Sequence, residues 1–130
     1  MKRGAAAGDW TLPSGPGAFG SAHGFLYFKN TPVYDFSAVL EELASPCLSC
    51  REGTLDGVLD DGVGPGPDYV VRGEWLGSFF TGEGTWKATI FQPTPTGLVP
   101  VGRMRGRYDD PPNSPLPVLG TFQARWTICN

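Results

Sequence analysis

The residues best suited to do chemistry are three cysteines and a single histidine. Cys47 and Cys50 form a Cys-x-x-Cys motif, Cys129 is the penultimate residue, and His23 is the only histidine. Such a motif supports thiol–disulfide catalysis at a strand-to-helix turn of a βαβ unit, or a structural zinc ion when two further ligands complete the tetrahedron. Here it follows a helix-like segment and precedes an antiparallel sheet, and neither Cys129 nor His23 lies at a zinc-ligand spacing from it. We therefore expect no metal and no other cofactor.

A structural disulfide is the simpler interpretation of the cysteines. Cys129 follows the last predicted strand, whereas Cys47 and Cys50 precede the first strand of the glycine-rich region. A bond from Cys129 to either partner would close a loop of about 80 residues and add about 4 kcal/mol of stability in the chain-entropy model. Because no apolar stretch follows Lys2 and Arg3, no signal peptide is visible and a cytoplasmic protein is the default expectation. An extracytoplasmic location is expected if the cysteines are paired.

The acidic pairs of the chain do not form a catalytic couple. Asp60-Asp61 and Asp109-Asp110 each follow a predicted strand. Adjacent residues of an extended chain point in opposite directions, so neither pair is arranged for general acid–base work. Asp68 could join the first pair around calcium, but no EF-hand spacing is present, and turn formation explains these residues better. Because nucleophile and base candidates are also missing, we predict that the protein is not an enzyme.

Composition and charge narrow the range of partners. The 130 residues carry a net charge of −3 and include 19 glycines and 13 prolines. This length fits one domain, and the abundance of glycine and proline between regular apolar runs is typical of short strands joined by tight turns. An acidic protein is a poor candidate for nucleic-acid binding. No apolar run approaches the roughly 20 residues that span a bilayer, so no membrane span is expected.

Alternation of apolar and polar residues predicts five strands in the C-terminal part of the chain, at 52–59, 69–76, 84–91, 99–108 and 118–128. Residues 25–28 are a short aromatic run that could add a sixth strand. Residues 37–44 are the only helix candidate, with Ser37 as the N-cap and Pro46 beyond the end. Residues 1–24 are rich in glycine, alanine and proline and are interpreted as a flexible arm, with Trp10 and Phe19 as its large apolar anchors.

The predicted fold is therefore mainly β, a strongly curved antiparallel meander of five or six strands that forms a small or open barrel. One short helix would cover it. The chain would divide into a flexible arm, residues 1–24, and a single β domain, residues 25–130. The connections between the predicted strands are too short for parallel crossovers, which favours the meander.

The two faces of the predicted sheet differ sharply. The parity of the strands places the large apolar residues on one face, and these are Leu55, Leu59, Tyr69, Val71, Trp75, Trp86, Ala88, Ile90, Met104, Tyr108, Phe122, Ala124, Trp126 and Ile128. The same parity adds seven glycines to this face, at 53, 57, 73, 84, 102, 106 and 120. Glycine weakens a strand, so these positions indicate either strong curvature around a packed core or close approach of another element. Alternatively, the curvature encloses a ligand cavity lined by Tyr69, Trp75, Trp86 and Trp126.

The opposite face is polar and locally cationic. Symmetric hairpins would place Asp56 opposite Arg72, and would bring Glu74 near Lys87. The same symmetry brings Lys87 near Arg103, and Arg103 near Arg125. Since like charges directly opposite one another are unfavourable, this row is either a solvated face whose long side chains spread into water or a surface for an anionic partner. The predicted binding residues are Lys87, Arg103, Arg105, Arg107 and Arg125.

These patterns predict a non-enzymatic binding or assembly module that uses its curved sheet and N-terminal arm. A protein partner or self-association is the first expectation, and a small molecule is the alternative. The repeated Gly-x-Trp and Gly-Thr-x segments resemble in composition the strands of small ligand-binding barrels such as avidins and lipocalins, although no motif of either family aligns with them residue by residue. That resemblance implies a small-molecule carrier with an aromatic-lined interior.

Overall fold

The computed structural model describes residues 1–109 and 120–129 and shows a closed antiparallel β-barrel. Eight strands follow one another around the barrel in sequence order, and the first pairs with the last. Their bounds are β1 Lys2–Thr11, β2 Phe19–Phe28, β3 Thr31–Leu43, β4 Cys50–Asp60, β5 Tyr69–Ser78, β6 Glu83–Thr94, β7 Gly97–Asp109 and β8 Gly120–Ile128. No helix able to cross a lipid bilayer occurs in the described part of the chain.

The prediction of a β-rich antiparallel barrel is confirmed, and the five predicted C-terminal strands correspond to β4–β8. Their alternation was a sound guide because each strand has one face in the core and the other in solvent. The predicted loop at residues 92–97 is shorter than expected, because β6 extends to Thr94 and β7 begins at Gly97. Residues 118 and 119 of the last predicted strand, and Asp110 of the second acidic pair, lie outside the described residues.

The predicted helix at 37–44 is wrong, since these residues belong to β3. This strand pairs with β2 along one edge and with β4 along the other. Phe36, Ala38 and Leu40 are buried, while Val39 between them is 53 % exposed, which is the alternation of a strand. An isolated helix of this length is unstable in water. Pairing along both edges therefore outweighs its local helix propensity.

The predicted flexible arm at 1–24 is also corrected, because it contains β1 and the first part of β2. The pairing of β1 with both β2 and β8 closes the barrel. Trp10 is fully buried in the core, whereas Phe19 is 66 % exposed. The inward side of β1 carries Gly4 and Gly8 as well as Ala6, and such small residues give a weak hydrophobic alternation. Residues 25–28 are the end of β2 rather than a separate covering strand.

A two-residue turn joins β2 to β3. Lys29 and Asn30 have φ values of 51° and 66°, the left-handed values that a tight hairpin of this kind requires. Asparagine is among the few residues that adopt this conformation at low cost.

The barrel interior is occupied by side chains of the chain itself. All fourteen residues that parity assigned to the apolar face are buried, and Trp10, Phe36 and Leu26 join them from the N-terminal strands. The Trp10 ring stacks on Tyr108 with centroids 4.9 Å apart, and Phe36 stacks on Trp86 at 6.0 Å. The N-terminal strands therefore complete the core as walls of the barrel, instead of covering a sheet from outside.

Candidate binding surface

The cationic surface consists of Lys87, Arg103, Arg105, Arg107 and Arg125, which point outward from β6, β7 and β8. All five are exposed. Lys87 lies directly opposite Arg105, and Arg105 lies directly opposite Arg125 on the next strand. Arg103 and Arg107 stand two residues to either side of Arg105 on the same face. The barrel therefore gathers half of the ten lysines and arginines on one surface.

The register of this surface was predicted only in part. The pairs Asp56–Arg72 and Glu74–Lys87 are confirmed as cross-strand neighbours. The predicted neighbours of Arg103 are wrong by two residues, because it faces Thr89 on β6 and Thr127 on β8. An irregularity in the pairing of β6 and β7 lies next to a turn shorter than the predicted loop, which displaces the hairpin centre. A displacement of two residues keeps every side chain on its face, so the cationic surface survives the error.

None of the five cations has an acidic partner within 4 Å among residues 1–109 and 120–129. By contrast, the outward-facing Arg72 contacts Asp56, with Nε and Oδ1 3.5 Å apart. Like charges directly opposite one another on a sheet are destabilising, so a row of three cations raises the local potential. The surface is thus positive although the chain as a whole is acidic.

Two grooves run over this part of the barrel. The larger encloses about 810 Å³ and extends from Leu43 and Leu76 at one end to Lys87 and Arg105 at the other, with Glu74 between them. A smaller groove of about 290 Å³ continues along the cationic strands. Lys87 and Arg105 line both grooves. A ligand in the larger groove would thus meet Glu52 and Glu74 near the two leucines and the two cations at the other end.

The four residues of the predicted ligand cavity lie in the barrel core. Trp75, Trp86 and Trp126 are no more than 3 % exposed, and Tyr69 is 9 % exposed. The Trp75 indole N–H donates to the carbonyl of Thr54 at 3.2 Å. The Trp126 indole donates to two main-chain carbonyls, at 3.0 and 3.1 Å. The indole N–H groups of Trp10 and Trp86 are fully buried and have no acceptor among residues 1–109 and 120–129.

An aromatic pair lies near the loop between β4 and β5. Tyr34 and Tyr69 pack edge to face with ring centroids 5.6 Å apart. Burial, the contact with Tyr69 and the negative charges of Asp68 and Asp61 together raise the pKa of Tyr34 to about 12. The phenol is therefore held in its neutral form.

The acidic cluster of the same loop shapes its turn. Carboxylate oxygens of Asp60, Asp61 and Asp68 lie within 4.8 Å of one another. The Asp60 carboxylate accepts a hydrogen bond from the main-chain amide of Gly62 at 2.8 Å, and Asp68 accepts one from the amide of Asp61 at 2.7 Å. These bonds are typical of aspartate in tight turns.

The sequence analysis missed a buried ion pair at one end of the barrel. Arg51 and Glu42 form two contacts, from Nε to Oε2 at 3.0 Å and from one terminal nitrogen to Oε1 at 2.6 Å. Their side chains are only 17 % and 6 % exposed. Arg51 also donates to the carbonyl of Pro13 in the loop between β1 and β2. The assignment of Glu42 to a helix hid the pair, since in a strand it shares the inward face of Leu40.

The cysteines differ from the predicted clamp. Cys47 and Cys50 form a disulfide, here called the turn disulfide, and Cys129 is a free, exposed thiol. The prediction of a bond to Cys129 is wrong for a topological reason. Five consecutive antiparallel strands, β4–β8, separate the two sites, and an odd number of strands begins and ends at opposite ends of a barrel.

The single histidine lies on the outer surface. His23 Nε2 is 3.1 Å from Asp35 Oδ1, and both side chains are about half exposed. Within the described residues, no hydroxyl or thiol is hydrogen-bonded to His23. The pair therefore lacks the nucleophile that a catalytic triad requires.

No protein-family model, curated protein or solved structure matches the chain. Inferences about function therefore rest on the residues and the geometry described above.

Proposed function

We propose that the protein is a non-enzymatic binding module whose cationic surface holds an acidic segment of a protein partner. The observation that carries this proposal is the row Lys87, Arg105 and Arg125, three cations directly opposite one another on adjacent strands. Such a row is unfavourable in the free protein, and an anion that neutralises it relieves the repulsion. The smaller groove, which is lined by Lys87, Arg103 and Arg105, gives the segment a concave seat.

The spacing of the arginines favours an extended segment. Arg103, Arg105 and Arg107 alternate along β7. Alternate residues of a strand are separated by roughly 6.6 Å. An extended peptide with acidic residues at every second position has the same spacing, so each carboxylate can meet one guanidinium. Arginine suits this role because its planar donor group binds a carboxylate through two hydrogen bonds.

The chemistry of the surface supports binding in preference to catalysis. Lysine and arginine are donors only and stay protonated at neutral pH. They can attract and orient an anion, but they do not take up a proton from it. A catalytic role would need a base or an activated nucleophile in the same groove.

The test is a binding titration with a fluorescein-labelled peptide of eight residues in which glutamate and serine alternate. Fluorescence anisotropy should show binding that weakens with salt, because exposed charges are screened. Replacing both Arg103 and Arg105 with serine should weaken binding about tenfold, which equals about 1.4 kcal/mol. The same probe with lysine in place of glutamate should not bind.

A matched control variant distinguishes the loss of the cationic surface from a change in the net charge of the protein. The K2S/K29N variant also removes two positive charges, but the ammonium groups of these lysines lie over the Phe28 ring at the end of β2. It should bind the acidic peptide as the unmodified protein does. If R103S/R105S keeps its unfolding midpoint and its full affinity for the peptide, the proposal is wrong.

A second candidate function, a small-molecule carrier, is favoured by the unpaired indole N–H groups of Trp10 and Trp86. A buried donor without an acceptor is costly, so a ligand that displaces core side chains and brings an acceptor atom would be stabilised there. Oleate, which joins an apolar chain to a carboxylate, is a suitable probe. Binding should quench tryptophan fluorescence and raise the unfolding temperature, and W86F should weaken both effects. Absence of both effects in the unmodified protein would exclude oleate-like ligands.

The turn disulfide supports an extracytoplasmic location, because thiols in the cytosol are kept reduced. Intact cells treated with N-ethylmaleimide before lysis would preserve the native state of the thiols. A single adduct, at Cys129, is expected by mass spectrometry. Adducts at all three cysteines would contradict the proposed location.

A further inference from the structure

A second charged surface lies on the strands that do not carry the cations. Glu41, Glu52 and Glu74 point outward from β3, β4 and β5. Among the described residues, none of the three has a cationic partner within 4 Å. We call these three residues the acidic surface. Their charge is available to an external cationic partner.

Exposed apolar side chains accompany the acidic surface. Leu43 and Leu76 are direct neighbours of Glu52 in the strand pairing, and they are 44 % and 51 % exposed. Val39, two residues before Glu41 on the same face, is 53 % exposed. Charged residues around exposed leucine and valine are typical of a protein interface, with an apolar centre and a polar rim.

The two charged surfaces adjoin on one side of the barrel. Glu74 lies directly opposite Lys87, and both line the larger groove. One row across the strands therefore runs from Glu41 and Glu74 to Lys87, Arg105 and Arg125, and its two ends carry opposite charge.

We propose that two copies of the protein associate, with the acidic surface of each copy docked on the cationic surface of the other. This inference rests on the proposed function, since it uses the same cationic surface, and it names a second copy of the chain as the partner. The copy supplies the required charge on an extended strand face. It also supplies the apolar side chains, which can cover the small outward residue Ala5 beside Arg125.

The geometry also sets the form of the assembly. Because the two surfaces adjoin and carry opposite charge, a two-fold axis places each surface against its complement in the other copy, and the contact closes with two copies. The mean mass should therefore rise with protein concentration to that of a dimer. It should fall with salt, because the contact is largely electrostatic.

The experiment measures mass by sedimentation velocity in about 20 mM and about 500 mM NaCl, where the Debye length falls from roughly 20 Å to roughly 4 Å. Two charge-reversal variants are compared with the unmodified protein. E41K/E52K converts the acidic surface to a basic one, and R103E/R105E converts the cationic surface to an acidic one. Each variant alone should stay monomeric in low salt, because like surfaces then meet. An equimolar mixture should associate again, because each variant carries the complement of the other.

Controls keep the result independent of folding. E41Q/E52Q removes the charge without reversing it and should weaken association about tenfold, while K2S/K29N should associate normally. A monomeric unmodified protein in low salt, or a mixture that stays monomeric, overturns the inference. The alternating glutamate–serine peptide is titrated in parallel. Peptide binding without self-association refutes only the inference, whereas self-association without peptide binding refutes the proposed acidic-segment function.

Discussion

Replacement of Arg51 by methionine should destabilise the barrel more than almost any other single change at a charged residue. Glu42 and Arg51 face the interior and are joined by two hydrogen bonds, and the Glu42 side chain is only 6 % exposed. Methionine keeps the volume but leaves the carboxylate buried without its counter-ion. Removing one partner of a buried pair costs about 3–5 kcal/mol. The carbonyl of Pro13 also loses a donor, which costs about 1 kcal/mol.

This loss is large on the scale of a small domain. A domain of this size is stable by roughly 5–15 kcal/mol, so R51M should remove a substantial share. The melting temperature should fall by about 12–30 °C, given about 3–5 °C for each kcal/mol. Urea unfolding followed by tryptophan fluorescence is a direct assay, because all four tryptophans are buried in the core.

Two companion variants test the reasoning. R72M breaks the ion pair with Asp56, whose side chains are 60 % and 67 % exposed, and should cost less than about 1 kcal/mol. The double variant E42M/R51M replaces both buried charges and should be more stable than R51M alone, because no unpaired charge remains. If R51M is no more harmful than R72M, or if E42M and R51M are simply additive, the ion pair does not act as described.

Three further changes test other parts of the fold. G53A should lower the free energy of unfolding by about 1–3 kcal/mol, because an added Cβ would lie 2.6 Å from the Trp75 ring. In the control G15A, the added Cβ has no atom within 4 Å, so the urea midpoint should stay unchanged. The pKa of Tyr34 is raised from 10.0 to about 12. The stability that its neutral phenol contributes should therefore be complete below pH 10 and be lost as the pH rises through 12. In a pH titration, Y34F should remove the rise in tyrosinate absorbance near pH 12. N30V should lower the free energy of unfolding by about 1–2 kcal/mol in thermal unfolding, because φ at this residue is 66°. N30G should leave the stability unchanged.

The faces of the sheet could be predicted from the sequence because they depend only on parity. In β4–β8, each residue between two buried neighbours points outward, and this holds whatever the pairing register is. The assignment of Trp75 to the core and of Arg105 to solvent therefore needed no knowledge of the hairpins. Register needs the turn geometry: on the β6 side, the short turn and the irregularity beside Ile90 together displace the partner of Arg103 from Lys87 to Thr89.

The N-terminal strands could not be predicted in the same way because their inward residues are small or ambiguous. In β1, the inward positions before Trp10 are filled by glycine and alanine, which give no hydrophobic alternation. In β3, the apolar residues Val39, Leu40 and Leu43 fit the spacing of a helix as well as that of a strand. Only the buried Phe36 upstream favours a strand. Both strands are specified by their neighbours on either side, which is tertiary information that local propensity does not contain. The buried pair of Glu42 and Arg51 was missed for the same reason.

The inward glycines show how these N-terminal strands and the aromatic core depend on one another. Gly53 lies directly opposite Trp75, and Gly4 lies directly opposite Trp126 in the strand that closes the barrel. At both positions an added Cβ would meet the indole ring and a main-chain carbonyl of the neighbouring strand. The missing side chain lets each large ring lie across the adjacent strand, where it fills the space that curvature would otherwise leave empty. The two explanations offered for glycine on the apolar face, curvature and close approach, therefore describe one arrangement: the strands curve tightly because tryptophan packs onto bare backbone.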